Sequence, residues 1–295
     1  MSHKSGFVNI IGNPNVGKST LMNEMVGEKL SIITSKSQTT RHRIMGIVNH
    51  DDYQIVYSDT PGILKPNYKL QEKMMGFVGT AFEDADIILY ITDVVETLDK
   101  NQQYIDRLFK IDVPILLLIN KIDLTNQEKL EALVETWQKI LPKAEIVPIS
   151  ALKNFNLDQV FKRIIELLPE GPPYFPKDSL TDKTERFFVS EIIREKILLY
   201  YHKEIPYSVQ IEVEEFKDTD KLLRIRANIH VTRPSQKGII IGHKGQALKK
   251  TGTEARLDIE DFFSKKVFLE LYVKVSKDWR DKDRSLRNFG YNVLI

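Results

Sequence analysis

The chain has 295 residues, 42% hydrophobic and 28% charged, with a formal net charge of +2 and no cysteine. The length suits two domains better than one, and the composition excludes a disordered chain, a fibrous repeat, a disulfide scaffold, a thiolate metal site and a cysteine nucleophile. Apolar runs such as "ILLLI" (115–119) are far shorter than a membrane span, and "MSHKSGFVNI" lacks a signal core and cleavage site, so a cytoplasmic protein is expected.

The first part alternates apolar, β-branched runs with helical periodicity. Strands are predicted at 7–12 ("FVNIIG"), 53–59 ("YQIVYSD"), 86–94 ("DIILYITDV"), 114–120 ("PILLLIN") and 145–150 ("EIVPIS"), and helices from Lys18 and over 102–109, 127–141 and 157–168. Strands that are apolar throughout and separated by helices imply an α/β domain whose mostly parallel sheet is covered on both faces. The pattern stops at "PEGPPYFPKDS" (169–179), where four prolines and a glycine cannot continue a helix. Domains are therefore expected at 1–170 and 185–295, with a linker at 171–184. The second domain reads as a helix (185–201), strands "SVQIEVEEF" and "LLRIRANIHV", an apolar helix, a glycine-rich turn, a helix (246–263), a strand "VFLELYVKV" and a terminal helix from Trp279. This is a small α+β unit.

"GNPNVGKS", from Gly12 to Ser19, fits G-x-x-x-x-G-K-S/T between a strand and a helix. Glycines let backbone N–H groups turn inward around phosphate oxygens, and the helix N-terminus adds partial positive charge. Gly12, Asn13, Pro14, Asn15, Val16, Gly17, Lys18, Ser19 and Thr20 are the candidate phosphate-binding residues, with Lys18 on the β- and γ-phosphates and the Ser19 hydroxyl on Mg²⁺. Mg²⁺ needs further oxygens. Asp59, ending a strand in "DTPG" (Asp59, Thr60, Pro61, Gly62), is expected to act through the metal's waters, with the Gly62 amide sensing the γ-phosphate.

Base choice is read from "NKID" at the carboxyl end of a strand, the end at which open α/β sheets bind ligands. Asn120 and Lys121 flank the nucleotide, and the Asp123 carboxylate accepts from N1–H and the exocyclic amine of guanine, a donor pair that adenine lacks. "SAL" (Ser150, Ala151, Leu152) is placed to add a backbone N–H to the guanine oxygen. GTP, GDP and Mg²⁺ are thus the expected ligands.

These elements resemble the translation-factor-related GTPases over 7–168. That resemblance implies a mobile segment, here "SIITSKSQTTRHRI" (31–44), whose threonine ligates Mg²⁺ when the γ-phosphate is present; Thr40 is the candidate and Thr39 the runner-up. Lys18, Thr40 and Gly62 are the candidate catalytic set. Many relatives carry a water-orienting glutamine after the final glycine, but Ile63 stands here, so slow intrinsic hydrolysis is expected. Asn15 resembles an asparagine that ligates potassium in some members.

The charge is unevenly spread: residues 1–182 carry 20 basic and 24 acidic side chains, and residues 183–295 carry 23 and 17. Lys221 to Thr253 holds eight basic residues and no acid, around "GHKG" (Gly242, His243, Lys244, Gly245). A G-x-x-G turn lets a nucleic-acid backbone approach the main chain beside an apolar groove, with Arg233, Lys237, Gly238, Ile240, Ile241, Lys249 and Lys250 as flanking candidates. With "QTTRHRIMGI", "HVTRPSQKGIIIGHKG" and "WRDKDRSLRNFGY", the whole chain resembles the bacterial ribosome-assembly GTPases. The resemblance implies a type II K-homology domain, binding of the 3′ end of small-subunit (16S) ribosomal RNA, and maturation of the 30S subunit as a nucleotide-dependent switch. It also implies loose inner-membrane association; separately, a monomer with no obligate protein partner is expected. The alternative is a membrane-surface switch whose basic domain binds anionic lipid or another RNA.

Overall fold

The computed structural model describes residues 3–96 and 102–292, so the extreme ends of both expected domains lie outside the described residues. The chain forms two compact units, one of Met1–Ser31, Thr40–Pro66 and Met74–Asp182, the other of Ile32–Thr39, Asn67–Lys73 and Lys183–Ile295.

The first unit is built on a six-stranded sheet of order β2-β3-β1-β4-β5-β6, comprising β1 (Lys4–Gly12), β2 (Ile44–Asn49), β3 (Tyr53–Asp59), β4 (Ile87–Asp93), β5 (Ile115–Asn120) and β6 (Glu145–Pro148). Val8, Ile10, Ile55, Leu89 and Leu117 are fully buried, as central strands covered on both faces require. Helices α1 (Lys18–Val26), α2 (Lys69–Glu83), α3 (Gln102–Lys110), α4 (Gln127–Ile140) and α5 (Leu157–Leu167) accompany them; α2 joins this unit from Met74. The sequence reading missed β2, which is antiparallel to β3 at the sheet edge, and α2.

The proline-rich stretch is not a free tether over most of its length. Ser5 N donates to Pro169 O at 3.1 Å, Gly171 N to His3 O at 3.0 Å and Ile47 N to Leu180 O at 2.8 Å. The buried amide of Gln54 donates to Phe175 O at 2.8 Å, and the Tyr174 ring lies 4.7 Å from that of Phe7. Backbone groups that cannot join a helix are satisfied here by the sheet's flank.

The second unit carries a three-stranded sheet of order β7-β8-β9, from β7 (Gln210–Asp218), β8 (Leu223–Val231) and β9 (Val267–Val275), antiparallel and then parallel. Over it pack α6 (Glu185–Tyr200) and α9 (Gln246–Phe263), with α7 (Ile205–Ser208), α8 (Pro234–Ile241) and α10 (Asp283–Asn288) around them. Its core joins Val189, Ile193, Ile197, Ile225, Ile229 and Ile259. The expected terminal helix is split: Trp279 starts a short 3-10 turn, its Nε1 donating to Ser208 O at 3.0 Å, and α10 follows. Residues 32–39 are held within this unit by α6, where Lys36 Nζ donates to the carbonyls of Leu198 and Tyr201 and the Glu191-paired Arg194 donates to that of Thr39.

Candidate functional site

The turn from β1 to α1 brings the phosphate-loop residues together in a backbone shape that glycine permits. Gly17 has φ 103° at the N-cap of α1, and a Cβ there would lie 2.2 Å from Asn120 Nδ2. Asn15 also takes positive φ, at 66°. Asn13, Val16 and Lys18 are buried, Ser19 and Thr20 half-buried in the first turn of α1, and Asn15 exposed. Lys18 Nζ donates to Asn13 O at 2.7 Å. Burial pushes the Lys18 ammonium down to about 8, against the opposing charges of Asp59 and Glu96.

Three oxygens from separate parts of the chain converge beside that lysine. Ser19 Oγ lies 2.9 Å from Thr40 Oγ1 and donates to Asp59 Oδ2 at 2.7 Å, and Thr40 Oγ1 reaches the same carboxylate oxygen at 3.3 Å. Asp59 is fully buried, and burial raises its carboxyl above the ordinary value, opposed first by Lys18 and then by the hydroxyls. Its Oδ1 has no hydrogen-bond partner among the described residues. A buried, half-satisfied carboxylate beside two hydroxyls suits a hard cation whose remaining ligands are waters and phosphate oxygens. The neighbouring Thr39 turns elsewhere, its hydroxyl donating to Lys36 O and lying against Thr34 Oγ1, both at 2.6 Å.

"DTPG" closes the same face. Thr60 Oγ1 donates to Ile10 O at 2.7 Å, Pro61 is buried, and a Cβ on Gly62 would come within 2.7 Å of Pro14 Cα. Ile63 donates its amide to Gly12 O at 3.1 Å and buries its side chain in the core, so it has no means of orienting water.

At the carboxyl end of β5, Asn120 ties two loops together: Nδ2 donates to Val16 O at 2.7 Å while Oδ1 accepts from Ala151 N at 2.9 Å. Asp123 Oδ1 accepts from Ser150 Oγ at 2.5 Å, and Leu152 is exposed. Lys121 Nζ donates to Asn15 O and to Asp93 Oδ2, each at 2.6 Å. The sequence reading missed Asp93, whose Oδ1 also accepts the amides of Val95 and Glu96 at 2.9 Å. Its signal was its place at the carboxyl end of β4, level with Asn120 in the ladder.

In the second unit, α8 ends at Gly242, whose φ of 72° and hypothetical Cβ contact of 2.6 Å with Ala247 Cβ admit only glycine. Gly242 N donates to Gly238 O at 2.9 Å, Gly245 N to Gly242 O at 3.2 Å, and His243 and Lys244 project into solvent. Lys237 and Ile241 line a groove of about 550 Å³ with Leu248, Leu271 and Tyr272. Arg233 and Lys249 are exposed nearby in the chain, while Lys250 stands 4.6 Å over the Tyr200 ring. One expectation needs correction: Ile240 is fully buried in the core because it lies on the sheet-facing side of α8, and Ile239 is the exposed neighbour. The acid-free run also gains acids across the sheet, since Arg226 pairs with Glu215 at 3.6 Å and Glu270 at 3.4 Å.

Comparison with known proteins agrees with both halves of this picture. A family model described as 50S ribosome-binding GTPase matches residues 7–121, and a KH domain model matches residues 204–280. The chain is 46% identical to GTPase Era of Staphylococcus haemolyticus, over 98% of this chain and 97% of the relative. It is 48% identical to GTPase Era of Syntrophus aciditrophicus, over 98% and 95%. A crystal structure of Era in complex with MgGDPNP and nucleotides 1506–1542 of 16S ribosomal RNA superposes with a TM-score of 0.93 at 41% identity, covering 98% of this chain and 99% of that one. An Aquifex aeolicus Era variant bound to GDP and AlF4 gives the same score, identity and coverage. With a buried lysine and a Ser–Thr–Asp cluster at the turn from β1 to α1, Asp123 held by Ser150 beyond β5 and a G-x-x-G turn in a second unit, the chain belongs to the Era family of GTPases.

Proposed function

We propose that this protein binds and hydrolyses GTP and, as a nucleotide-dependent switch, binds the 3′ end of small-subunit (16S) ribosomal RNA and assists maturation of the 30S subunit. The observation that carries this reading is the meeting of Ser19, Thr40 and Asp59, which gives one end of residues 31–44 a polar anchor at the phosphate end. Residues 32–39 and 67–73, either side of that anchor and beyond "DTPG", belong to the same compact unit as the G-x-x-G turn, which supports a dependence of RNA affinity on nucleotide state. The domains proposed are a GTPase domain at 1–170, a linker at 171–184 and a K-homology domain at 185–295. Among the described residues no helix is long and apolar enough to cross a membrane, and we place the protein in the cytoplasm with at most weak peripheral contact with the inner membrane.

In the mechanism, Lys18 holds the β- and γ-phosphates, the Gly62 amide contacts the γ-phosphate and Asp123 selects guanine. Ser19, Thr40 and Asp59, the last through water, would hold Mg²⁺, which neutralises charge on the phosphate oxygens when bound. Asn15 would offer an oxygen to K⁺ in the same loop. Because Ile63 is buried, hydrolysis relies on positioning and charge, and turnover is slow.

An RNA carrying the small-subunit 3′ end, titrated at one fixed salt concentration, should bind with about 5- to 150-fold different affinity in the GTP-analogue and GDP states. Equal affinities would remove the switch; stronger retention on anionic vesicles than on 30S subunits would favour the membrane-surface reading instead.

The depressed Lys18 gives a pH signature. Phosphate favours its ammonium, so the contribution of this lysine to nucleotide affinity should be level below pH about 8 and fall above it, with a fraction of a proton taken up on binding near that pH. Calorimetry in buffers of different ionisation enthalpy reads that uptake directly. Without nucleotide, the unfolded chain binds more protons at this lysine between pH about 8 and its ordinary 10.5, so its burial cost is fully present below that window and relieved across it.

A further inference from the structure

Residues 40–44, "TRHRI", have the composition of a polar loop, yet all five are buried, Arg41 to 1% exposure and Arg43 to 8%. Buried guanidinium groups persist where their donors are satisfied, and they often serve to fix position rather than to add net stability. Arg43 makes four hydrogen bonds within the first unit. Its Nε donates to Ser58 Oγ at 2.6 Å, Nη1 to Asp84 Oδ2 at 2.6 Å, and Nη2 to Asp84 Oδ1 at 2.9 Å and Asn9 Oδ1 at 3.1 Å. Asn9 is held in turn, its Nδ2 donating to Ala81 O and Asp84 Oδ1, both at 2.7 Å.

The partners adjoin the nucleotide machinery. Ser58 immediately precedes Asp59, Asn9 lies in the strand that leads into Gly12, and Asp84 follows the end of α2. Ile44, next to Arg43, is the residue paired with Asp59 in the β2–β3 ladder. A slip of one residue in that ladder moves the chain by about 3.3 Å and turns every side chain to the other face, which would carry the Thr40 hydroxyl away from Ser19. A planar fork that spreads its donors over three nitrogens can fix such a register; an ammonium has three donors on a single atom and cannot reproduce all four bonds.

We propose that Arg43 is a positioning residue for triphosphate recognition: its clamp on Ser58, Asp84 and Asn9 sets the register of residues 40–44 and so delivers the Thr40 hydroxyl to Ser19 and Asp59. The inference rests on the reading of Thr40 as an Mg²⁺ ligand in the triphosphate state, and the experiment separates the two. Full-length Arg43→Gln, Arg43→Lys, Ser58→Ala and Thr40→Ala proteins are titrated with Mg²⁺ in the presence of a fluorescent non-hydrolysable GTP analogue and, separately, fluorescent GDP. Hydrogen exchange over residues 31–44 is followed in both states. Arg43→Gln should raise the half-saturating Mg²⁺ for the triphosphate roughly tenfold to a hundredfold, leave the GDP titration unchanged and abolish the added exchange protection that the analogue confers. Ser58→Ala, which keeps the ion pair with Asp84, should give a smaller shift in the same direction and serves if the Arg43 variants do not fold. An equal shift for both nucleotides would make Arg43 a purely structural residue and overturn the inference. So would normal Mg²⁺ titrations of the Arg43 and Ser58 variants alongside a shifted Thr40→Ala, with the reading of Thr40 left standing. Thr40→Ala without effect would remove that reading and the inference with it.

Discussion

Asp123→Asn is expected to convert a guanine site into a xanthine site. The carboxylate can accept two hydrogen bonds from guanine, and charge-assisted bonds contribute about 1.5–3 kcal/mol each, so their loss corresponds to roughly a hundredfold to ten-thousandfold weaker GTP binding. The asparagine amide supplies a donor where xanthine presents an oxygen, so xanthosine triphosphate should gain what GTP loses. The substitution leaves the local frame intact, because the Asn oxygen can still accept from Ser150 Oγ, now at 2.5 Å from the acid, and Asn120 still holds Val16 and Ala151. The phosphate end is also untouched, so hydrolysis of xanthosine triphosphate should run near the wild-type GTP rate. Competition titration with both nucleotides checks this; unchanged GTP affinity would show that another group selects the base.

The parts of the fold that could be read from sequence are those where burial leaves a one-dimensional trace. β1, β3, β4 and β5 are covered on both faces, so they appear as near-continuous apolar runs, broken only by buried polar residues such as Asn9, Gln54 and Ser58. β2 and α2 lack such a trace. "IMGIVN" is a short edge strand interrupted by Gly46, which is required because a Cβ would lie 2.6 Å from Val26 Cγ2, and "KLQEKMMGFVGTAFE" carries two helix-weakening glycines. The phosphate loop, "DTPG", "NKID" and G-x-x-G were legible because each needs particular atoms at fixed chain spacing. Supporting contacts were not: Asp93 reaches Lys121, and Asn9 and Asp84 reach Arg43, across long stretches of chain. The choice between Thr39 and Thr40 depends on which way adjacent side chains point, and composition carries nothing about that. Ile240 was misread for the same reason, since three consecutive isoleucines do not reveal which of them faces the sheet.

Gly17→Ala is expected to abolish binding of GTP and GDP alike, by more than a hundredfold. Two costs combine in one methyl group. An alanine at φ 103° gives up about 1–2 kcal/mol to the left-handed backbone, and its Cβ would stand 2.2 Å from Asn120 Nδ2. Asn120 cannot retreat without leaving Val16 O and Ala151 N unsatisfied, at about 1–3 kcal/mol for each buried group. The phosphate loop and the base loop therefore loosen together, which distinguishes this lesion from Asp123→Asn, where only base choice changes, and from Arg43→Gln, where only the triphosphate state suffers. A ligand at a hundred times its dissociation constant adds about 2.7 kcal/mol to stability, so the rise in melting temperature that GTP or GDP gives the wild type should be absent in this variant. A normal nucleotide-induced rise would mean that Asn120 can swing clear at little cost, and that the two loops are held in place by something other than its side chain.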